Sequence, residues 1–547
     1  MSVSLSRRSF LGVSGALGAM GLVAACSSPG GSTPGGGSTT GGGGATAGLL
    51  PTYQAFEGFP PDLGSSNPDV SPGYFSYPAP PTAVTGGAPA TSGQAIRALT
   101  FTYDPVAPEM GSNALWQNLN EALGAELDLE YTPSADYSAR FATTIAGNDL
   151  PDLVAVQGQH QQMPAMLAAK FTDLTEHLSG DAVLDYPNLA ALPTPSWLGS
   201  VYDGKIWGVP VPRSLIGTVL YTRADILEEH GLSLQPESLE EFIEMAKALT
   251  DERAGRWAFG QTPFSQMLEV NGIANAWSVD DSGVFTHNGT RPEYEQALAD
   301  AVALAEAGVV HPDGNAAQNT QRNEWMMAGI TAFQIGGYAG WPKFYIQGAS
   351  IDGFRLTGML SPAREAGGTM VRTAGNPSSH FSAIAKQDDP ERLLEILRVL
   401  DWLAAPFGSS EYITRRFGVE GETYNLDGPD PVLTSAGVNQ ATLPVRYITE
   451  NSPVIWESQN EQAVHDQFDH QETGLQYTIP NPTVGLYSET AVSNAASAQQ
   501  ALSATQGEIL LGNQPVTDWG PAVEAYMSAV GTTIKAEYEE AWAELNG

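Results

Sequence analysis

Between Ile96 and Val156 the sequence alternates two periodicities in a fixed order, and this alternation limits the folds open to the chain. Ile96 to Tyr103 reads as a strand. Asn113 to Leu123 then places Leu115, Leu119 and Ala122 on one helical face. Leu127 to Thr132 is a second strand and Tyr137 to Ala146 a second helix. Asp149-Leu150-Pro151-Asp152 turns the chain into a third, wholly apolar strand, Leu153 to Val156. Strand–helix–strand–helix–strand predicts a parallel sheet with crossover helices, hence an α/β protein.

A second landmark follows. In Tyr202-Asp203-Gly204-Lys205-Ile206-Trp207-Gly208-Val209-Pro210 the Asp-Gly dipeptide predicts a tight β-hairpin. Pro210 and Pro212 cannot donate to a ladder, so the chain there is extended but is not a central strand. Thr218 to Tyr221 reads as a strand and Arg223 to Leu227 opens a helix. A hairpin, a proline-stiffened crossing and a new strand–helix pair describe a chain leaving one lobe for another. Further on, Ser238 to Thr250, Glu293 to Ala307 and Pro390 to Leu403 have helical spacing, the last with a broad apolar face of leucines.

Charge and cysteine usage narrow the classes of function. With 24 Lys and Arg against 61 Asp and Glu, the formal net charge is −37, which argues against nucleic acid and against anionic lipid headgroups as partners. Cys26 is the single cysteine, so no internal disulfide is possible. Ser6-Arg7-Arg8-Ser9-Phe10-Leu11 is a twin-arginine pattern, and Leu11 to Ala25 is apolar but short for a membrane span. Val23-Ala24-Ala25-Cys26 resembles a bacterial lipobox. The expectation is a signal peptide over 1–25, cleavage before an acylated Cys26, and a membrane anchor made by its acyl chains. Residues 26–95 are Gly/Ser/Pro-rich and read as a flexible tether. Within it, 49–95 carry Tyr53, Phe56, Phe59, Tyr74, Phe75 and Tyr77, and are expected to lie extended over the folded body.

Several stretches carry a family resemblance. They are "NDLPDLVAV", "YDGKIWGVP" with "VLYTRADIL", "LRVLDWLAAPFGSSEYITRRFGVEGETY", and the C-terminal "ILLGNQPVTDWGPAVEAYMSAVGTTIKAEYEEAWAEL". Together they resemble the extracellular solute-binding proteins of carbohydrate ABC importers, in the branch of alginate-binding and LipO-like lipoproteins. The resemblance covers roughly 96–547 and is sharpest in the last two stretches. It implies a two-lobed fold of the type II periplasmic-binding-protein kind, with a hinge and an interlobe cleft. The expected division is 96–212 with 356–410 in lobe 1, and 213–355 with 411–547 in lobe 2. The implied function is capture of an oligosaccharide and delivery to ABC permease subunits, by a monomer on the outer face of the cytoplasmic membrane.

A sugar offers a C–H face and a rim of hydroxyls, matched by an aromatic plate edged with amides, carboxylates and Arg. In open α/β sheets ligands meet the carboxyl ends of strands. Tyr103 and Asp104 follow the first strand, Gln157 and Gln159 follow the third, and Trp207 and Arg213 bracket the crossing. Tyr338 and Trp341 follow a later strand, while Asn376 and His380 lie in "RTAGNPSSHF". Trp277 and Trp456 complete the candidate set. Trp207 is equally suited to packing at the hinge, and Arg213 to a structural ion pair.

Metal and enzyme chemistry find weaker support. Some alginate-binding relatives have a calcium loop where this chain has Thr250-Asp251-Glu252-Arg253-Ala254-Gly255-Arg256; oxygen ligands at alternate positions are missing, so no metal or cofactor is expected there. His465, Asp466, Asp469 and His470 share one segment, but on a helix His470 points away from the face of 465 and 469. No nucleophile elbow, Walker loop or His-Glu-x-x-His occurs. The chain is therefore read as a binding protein and not an enzyme. A secreted glycoside hydrolase or lyase is the main alternative, since it needs only two positioned carboxylates; a surface scaffold lipoprotein is the third.

Overall fold

The computed structural model describes residues 48–147 and 149–546, so the signal peptide and Cys26 lie outside the described residues. Nine strands build two sheets: β1 Ile96–Thr102, β2 Leu127–Pro133, β3 Leu153–Val156, β4 Val209–Pro212, β5 Thr218–Arg223, β6 Trp257–Phe259, β7 Thr331–Gly337, β8 Leu356–Met359 and β9 Ser378–Ile384. The first sheet has the order β2-β1-β3-β9-β4 and the second β8-β5-β7-β6. β1 is parallel to β2 and to β3, as the alternating sequence predicts, while β9 runs antiparallel to β3 and β4. Each sheet forms the centre of its own lobe.

Local chemistry sets the boundaries. Asn113 caps helix Ala114–Leu123 by accepting from the Trp116 amide, and Gly124 closes it at φ 64°. Ser238 caps Leu239–Ala248 in the same way. In the hairpin, Asp203 and Gly204 both have positive φ, the signature of a type I′ turn, and Val201 pairs with Ile206. Proline-bearing β4 is an edge strand of its sheet, where a missing N–H costs least.

Both faces of the first sheet are covered. Ile96 and Ala98 pack with Leu115, Leu119, Ile396 and Leu400, while Leu99 and Phe101 pack with Tyr137, Val154 and Phe381. This double burial explains the wholly apolar strand Leu153–Val156, buried at every position. In the second lobe, Leu220 and Phe333 pack on Phe242 and Met245. The C-terminal helices Ala496–Leu510, Trp519–Tyr526 and Thr532–Asn546 join Trp277, Phe285 and Leu298 in a further apolar cluster.

The lobe boundaries differ from the expected division. β8, expected in lobe 1 from residue 356, pairs antiparallel with β5 in the second sheet. The stretch 411–450, expected in lobe 2, packs on the first lobe, with Asn113 and Asn118 donating to the Gln440 and Gly418 carbonyls. Leu443, Val445 and Ile448 enter its core, Thr100 Oγ1 donates to the Tyr447 carbonyl at 3.1 Å, and Ser382 Oγ donates to that of Ile448 at 2.6 Å. A four-residue strand and an irregular segment do not advertise in their composition which sheet they will join.

The chain crosses between lobes from β4 to β5 and back from β8 to β9, and the two crossings touch. Ile216 bridges Ala374, and the Gly375 amide donates to the Leu215 carbonyl at 2.7 Å. A Cβ on Gly375 would sit 2.7 Å from the Gly217 nitrogen, so the crossings can approach this closely only as glycines. A third passage leads from Tyr447 to helix Glu461–Gly474, which belongs to the second lobe because His470 packs against β8.

Residues 49–95 form a strap fixed to both lobes, not a loose tether. Pro51 bridges Gly180, and Gly73–Tyr74 pairs with Ile455–Trp456. The Ser71 amide donates to Gln471 Oε1 at 2.9 Å in the second lobe, and Tyr77 Oη donates to the Ser409 carbonyl at 2.8 Å in the first. Tyr74 and Tyr77 are buried against Phe407, whereas Tyr53 and Phe56 remain exposed. Carboxylates complete the attachment: Asp430 takes the Tyr77 amide, Glu411 those of Val84 and Thr85, and Glu395 that of Ser92.

Candidate functional site

The carboxyl edge of the first sheet gathers five of the candidates. β1 ends at Thr102 and presents Tyr103, 66% exposed, with Asp104 beside it. Gln157, just past β3, donates its Nε2–H to Tyr103 Oη at 3.2 Å. Arg213 follows β4 and is tied through its amide to the Pro377 carbonyl at 2.8 Å. His380 opens β9, buried edge-on to Phe101 at 4.8 Å.

His380 is held neutral. Its Nε2–H donates to the Tyr447 carbonyl at 2.8 Å, so Nδ1 is the acceptor for Ser379 Oγ at 2.7 Å. Burial, opposed only in part by that carbonyl, pushes its pKa down to about 4. Both ring nitrogens are occupied, which leaves the ring a structural post against Phe101 and Tyr447.

Residues that the sequence reading did not single out complete this edge. Tyr447 sets its ring 5.8 Å from that of Tyr103. Arg446 lies 5.4 Å over the Tyr447 ring and 4.0 Å from Glu450. Glu450 also pairs with Arg415, which donates further to the Thr449 carbonyl at 3.2 Å and Asn451 Oδ1 at 3.0 Å. Arg416 and Tyr412 border the same group. Burial pushes Glu450 up, but the guanidiniums of Arg415, Arg446 and Arg416 outweigh it and hold this carboxyl below its ordinary range. It is thus an ion-pair anion and not a proton donor. The available signal was "EYITRRFG" and "VRYITE", a basic pair and a single Arg, each near a tyrosine in an acidic chain.

The remaining candidates are elsewhere. Trp207 is buried in the first lobe, its Nε1–H satisfied by the Tyr202 carbonyl at 3.0 Å. Trp277 is buried in the second lobe against His287 and Tyr538. Trp341 is fully buried, edge-on to Tyr221 at 5.4 Å and His470 at 5.4 Å. These three indoles are core, because each ring is enclosed by packed neighbours on its own lobe, and none can serve as a sugar plate in this arrangement. Trp456 is half-buried among Tyr77, Phe407 and Phe417. Gln159 turns away to donate to the Leu486 carbonyl at 2.7 Å. Asn376 is exposed on the crossing. Tyr338 follows the second sheet's β7, accepting from Gln471 Nε2 at 2.6 Å and donating to Gln467 Oε1 at 3.3 Å.

A cavity of about 280 Å³ opens where the strap passes the first crossing, with Tyr53, Phe56, Phe59 and Tyr74 on one side and Arg213 to Leu215 on the other. Among the described residues no group of three His, Cys, Asp or Glu could hold a metal ion. Asp251 instead accepts the amides of Arg253 and Ala254 at 3.1 Å, and His470 is engaged by Arg372 and the Gly358 carbonyl. Among the described residues no helix is long and apolar enough to cross a membrane.

An exposed phenol, an amide and several guanidiniums at one sheet edge can grip a hydroxylated or anionic solute; they do not form an acid–base pair. The polygalacturonan/rhamnogalacturonan-binding protein YtcQ of Bacillus subtilis is 21% identical over 445 residues, covering 78% of this chain and 87% of that protein. Lipoprotein LipO of the same organism is 22% identical over 488 residues, covering 82% and 92%. The N-glycan transport solute-binding protein NgtS of Streptococcus pneumoniae shares the fold at a TM-score of 0.60 and 14% identity, over 83% of this chain and 99% of that one. The model for the family described as bacterial extracellular solute-binding protein matches residues 107–406, more than half of the chain. This chain therefore belongs to the bacterial extracellular solute-binding proteins.

Proposed function

We propose that the chain captures a carbohydrate, specifically an oligosaccharide, between its two lobes and passes it unchanged to an ABC permease pair. It does so as a monomer, exported through its twin-arginine signal and held at the outer face of the cytoplasmic membrane by acyl chains on Cys26. The observation that carries this reading is Tyr103, an exposed ring at the carboxyl edge of the first sheet, bordered by Gln157, Asp104, Arg213 and Tyr447. A sugar face stacks on such a ring while its hydroxyls meet the amide and guanidinium groups. The names of the relatives support the carbohydrate, and that of LipO supports the lipid anchor. Closure needs only differential affinity: a sugar that touches both lobes favours the closed form by what it gains there.

A thermal-shift panel of mono- and oligosaccharides tests the reading, because a ligand bound only by the native state raises Tm. A rise with saccharide and no turnover of a labelled oligosaccharide is expected. Turnover would establish the hydrolase or lyase alternative, and no shift with any saccharide would sink carbohydrate capture. Mass analysis of the membrane-bound form tests acylation of Cys26.

A further inference from the structure

The strap holds a cavity open against the crossings instead of collapsing onto them. Its volume, about 280 Å³, is just below the roughly 300 Å³ at which ligand pockets begin, and gives room for one sugar ring. Tyr53 and Phe56 border it and stay 47% and 39% exposed, although the same strap buries Tyr74 and Tyr77. The rings are set by glycines. Phe56 folds back over Gly58, where any Cβ would strike that ring, and Phe59 rests on Gly408 in the same way. The two phenyl centroids lie 5.3 Å apart. Pro72, Pro193, Pro377 and Pro453 bring the strap, the first lobe and two crossings into the same wall. Proline has a fixed φ and no N–H, so this wall is stiff and an occupant would have little backbone to order.

A few polar groups face each other across these rings. Asp69 comes from the strap, and among the described residues its carboxylate has no hydrogen bond and no ion pair. On the opposite wall Ser214 Oγ accepts from the Ile216 amide at 3.2 Å, which leaves its hydroxyl hydrogen for a further acceptor, and Arg213 stands next to it. An apolar occupant would strip water from Asp69 and return nothing. A cation would meet Arg213 and an anion Asp69. A neutral ring with hydroxyls suits both walls, because each hydroxyl donates and accepts. The cavity also adjoins the Tyr103 edge. Arg213 feels the charges of Tyr103 and Tyr447, and residues 451–454 carry the chain on from Glu450 into the cavity wall. Resting on the carbohydrate reading above, we propose that the binding site continues past Arg213 beneath the strap, as a subsite for one neutral sugar unit of the captured oligosaccharide. The C–H face of that unit lies on Phe56 and Tyr53, and its hydroxyls meet Asp69 and Ser214. The strap lies outside residues 107–406 that match the family, so the subsite is this chain's own addition to the shared scaffold and favours longer saccharides over a single sugar.

Calorimetric titration of the whole protein tests this with neutral malto-, xylo-, manno- and galacto-oligosaccharides, each from mono- to tetrasaccharide. In the series that binds, affinity is expected to rise by about tenfold at the step that fills the cavity. Phe56→Ser and Asp69→Asn each should remove most of that gain, so that the longer oligomer binds about as weakly as the one a unit shorter. Both side chains are exposed, and Asp69→Asn keeps the shape of the strap, so it carries the test should Phe56→Ser lower Tm. Affinity that does not change with length in the parent, or a gain from lengthening that survives both substitutions, would overturn the subsite while leaving carbohydrate capture standing. Binding of none of the saccharides would sink the carbohydrate reading itself, and this inference with it.

Discussion

Arg372 donates an Nη1–H to Nε2 of His470 at 3.1 Å, while the Nδ1–H of the same ring donates to the Gly358 carbonyl at 3.0 Å. The geometry requires a neutral imidazole, since a proton on Nε2 would face a guanidinium. Burial first, and the charge of Arg372 second, push the pKa of His470 down to about 3. The unfolded chain takes up this proton near pH 6.5 and the folded one does not. Stability is therefore whole above pH 6.5 and is lost as pH falls toward 3. Urea unfolding should show His470→Gln losing less stability than the parent between pH 6.5 and 4.5, by on the order of 2–3 kcal/mol. Parallel profiles would refute the assignment.

Glu457 should act in the opposite direction. Its carboxyl is buried with one amide donor, Gln467 Nε2 at 2.8 Å, and burial raises its pKa to about 7. An acid whose folded pKa exceeds its unfolded value stabilises below the unfolded value and loses that contribution as pH rises through about 7. Glu457→Gln should therefore be the more stable protein at pH 8, by up to about 3 kcal/mol, and the two should converge near pH 4.5. A glutamine variant less stable at both pH values would count against this account.

Trp341→Ala is expected to behave as a core truncation. The ring is fully buried against Tyr221 and His470, so removal should cost about 3–5 kcal/mol and lower Tm steeply. If Tm held while only ligand response vanished, Trp341 would have to line the site after all.

Tyr103→Ala should separate binding from folding. At 66% exposure the ring contributes little to the core, so stability should change by no more than about 0.5 kcal/mol. The Tm rise produced by saccharide should nevertheless be abolished. An undiminished rise would remove Tyr103 from the site.

The strap can be tested through Tyr77, whose ring is buried on Phe407 and whose hydroxyl reaches the Ser409 carbonyl. Tyr77→Phe should cost about 1 kcal/mol through the lost hydrogen bond, and Tyr77→Ala about 3–5 kcal/mol through the cavity. Protease cleavage between 60 and 90 should accelerate in the alanine variant. Unchanged cleavage would mean that the strap is held by its other contacts, those of Glu411, Glu395 and Asp430.

Local rules settled what local sequence can settle. Ile96 to Val156 folds as alternating strands and helices, Asp203-Gly204 makes the I′ hairpin, and proline-bearing Val209–Pro212 takes a sheet edge, because periodicity, turn chemistry and missing N–H groups act within a few residues. Tyr103, Asp104, Gln157 and Arg213 follow strand ends, and that is why the sequence lets them be named as candidates on one sheet edge. Packing between distant segments decided the rest. Nothing in Leu356–Met359 says it will pair with Thr218–Arg223, and nothing in 411–450 says that Tyr447 will settle beside Tyr103. Trp207, Trp277 and Trp341 look like sugar plates in a sequence, but whether an indole faces solvent or core depends on which elements close over it. Periodicity is a property of neighbours along the chain, whereas an arginine cluster assembled from 213, 415, 416 and 446 is a property of neighbours in space, fixed only when the apolar faces of remote segments bury each other.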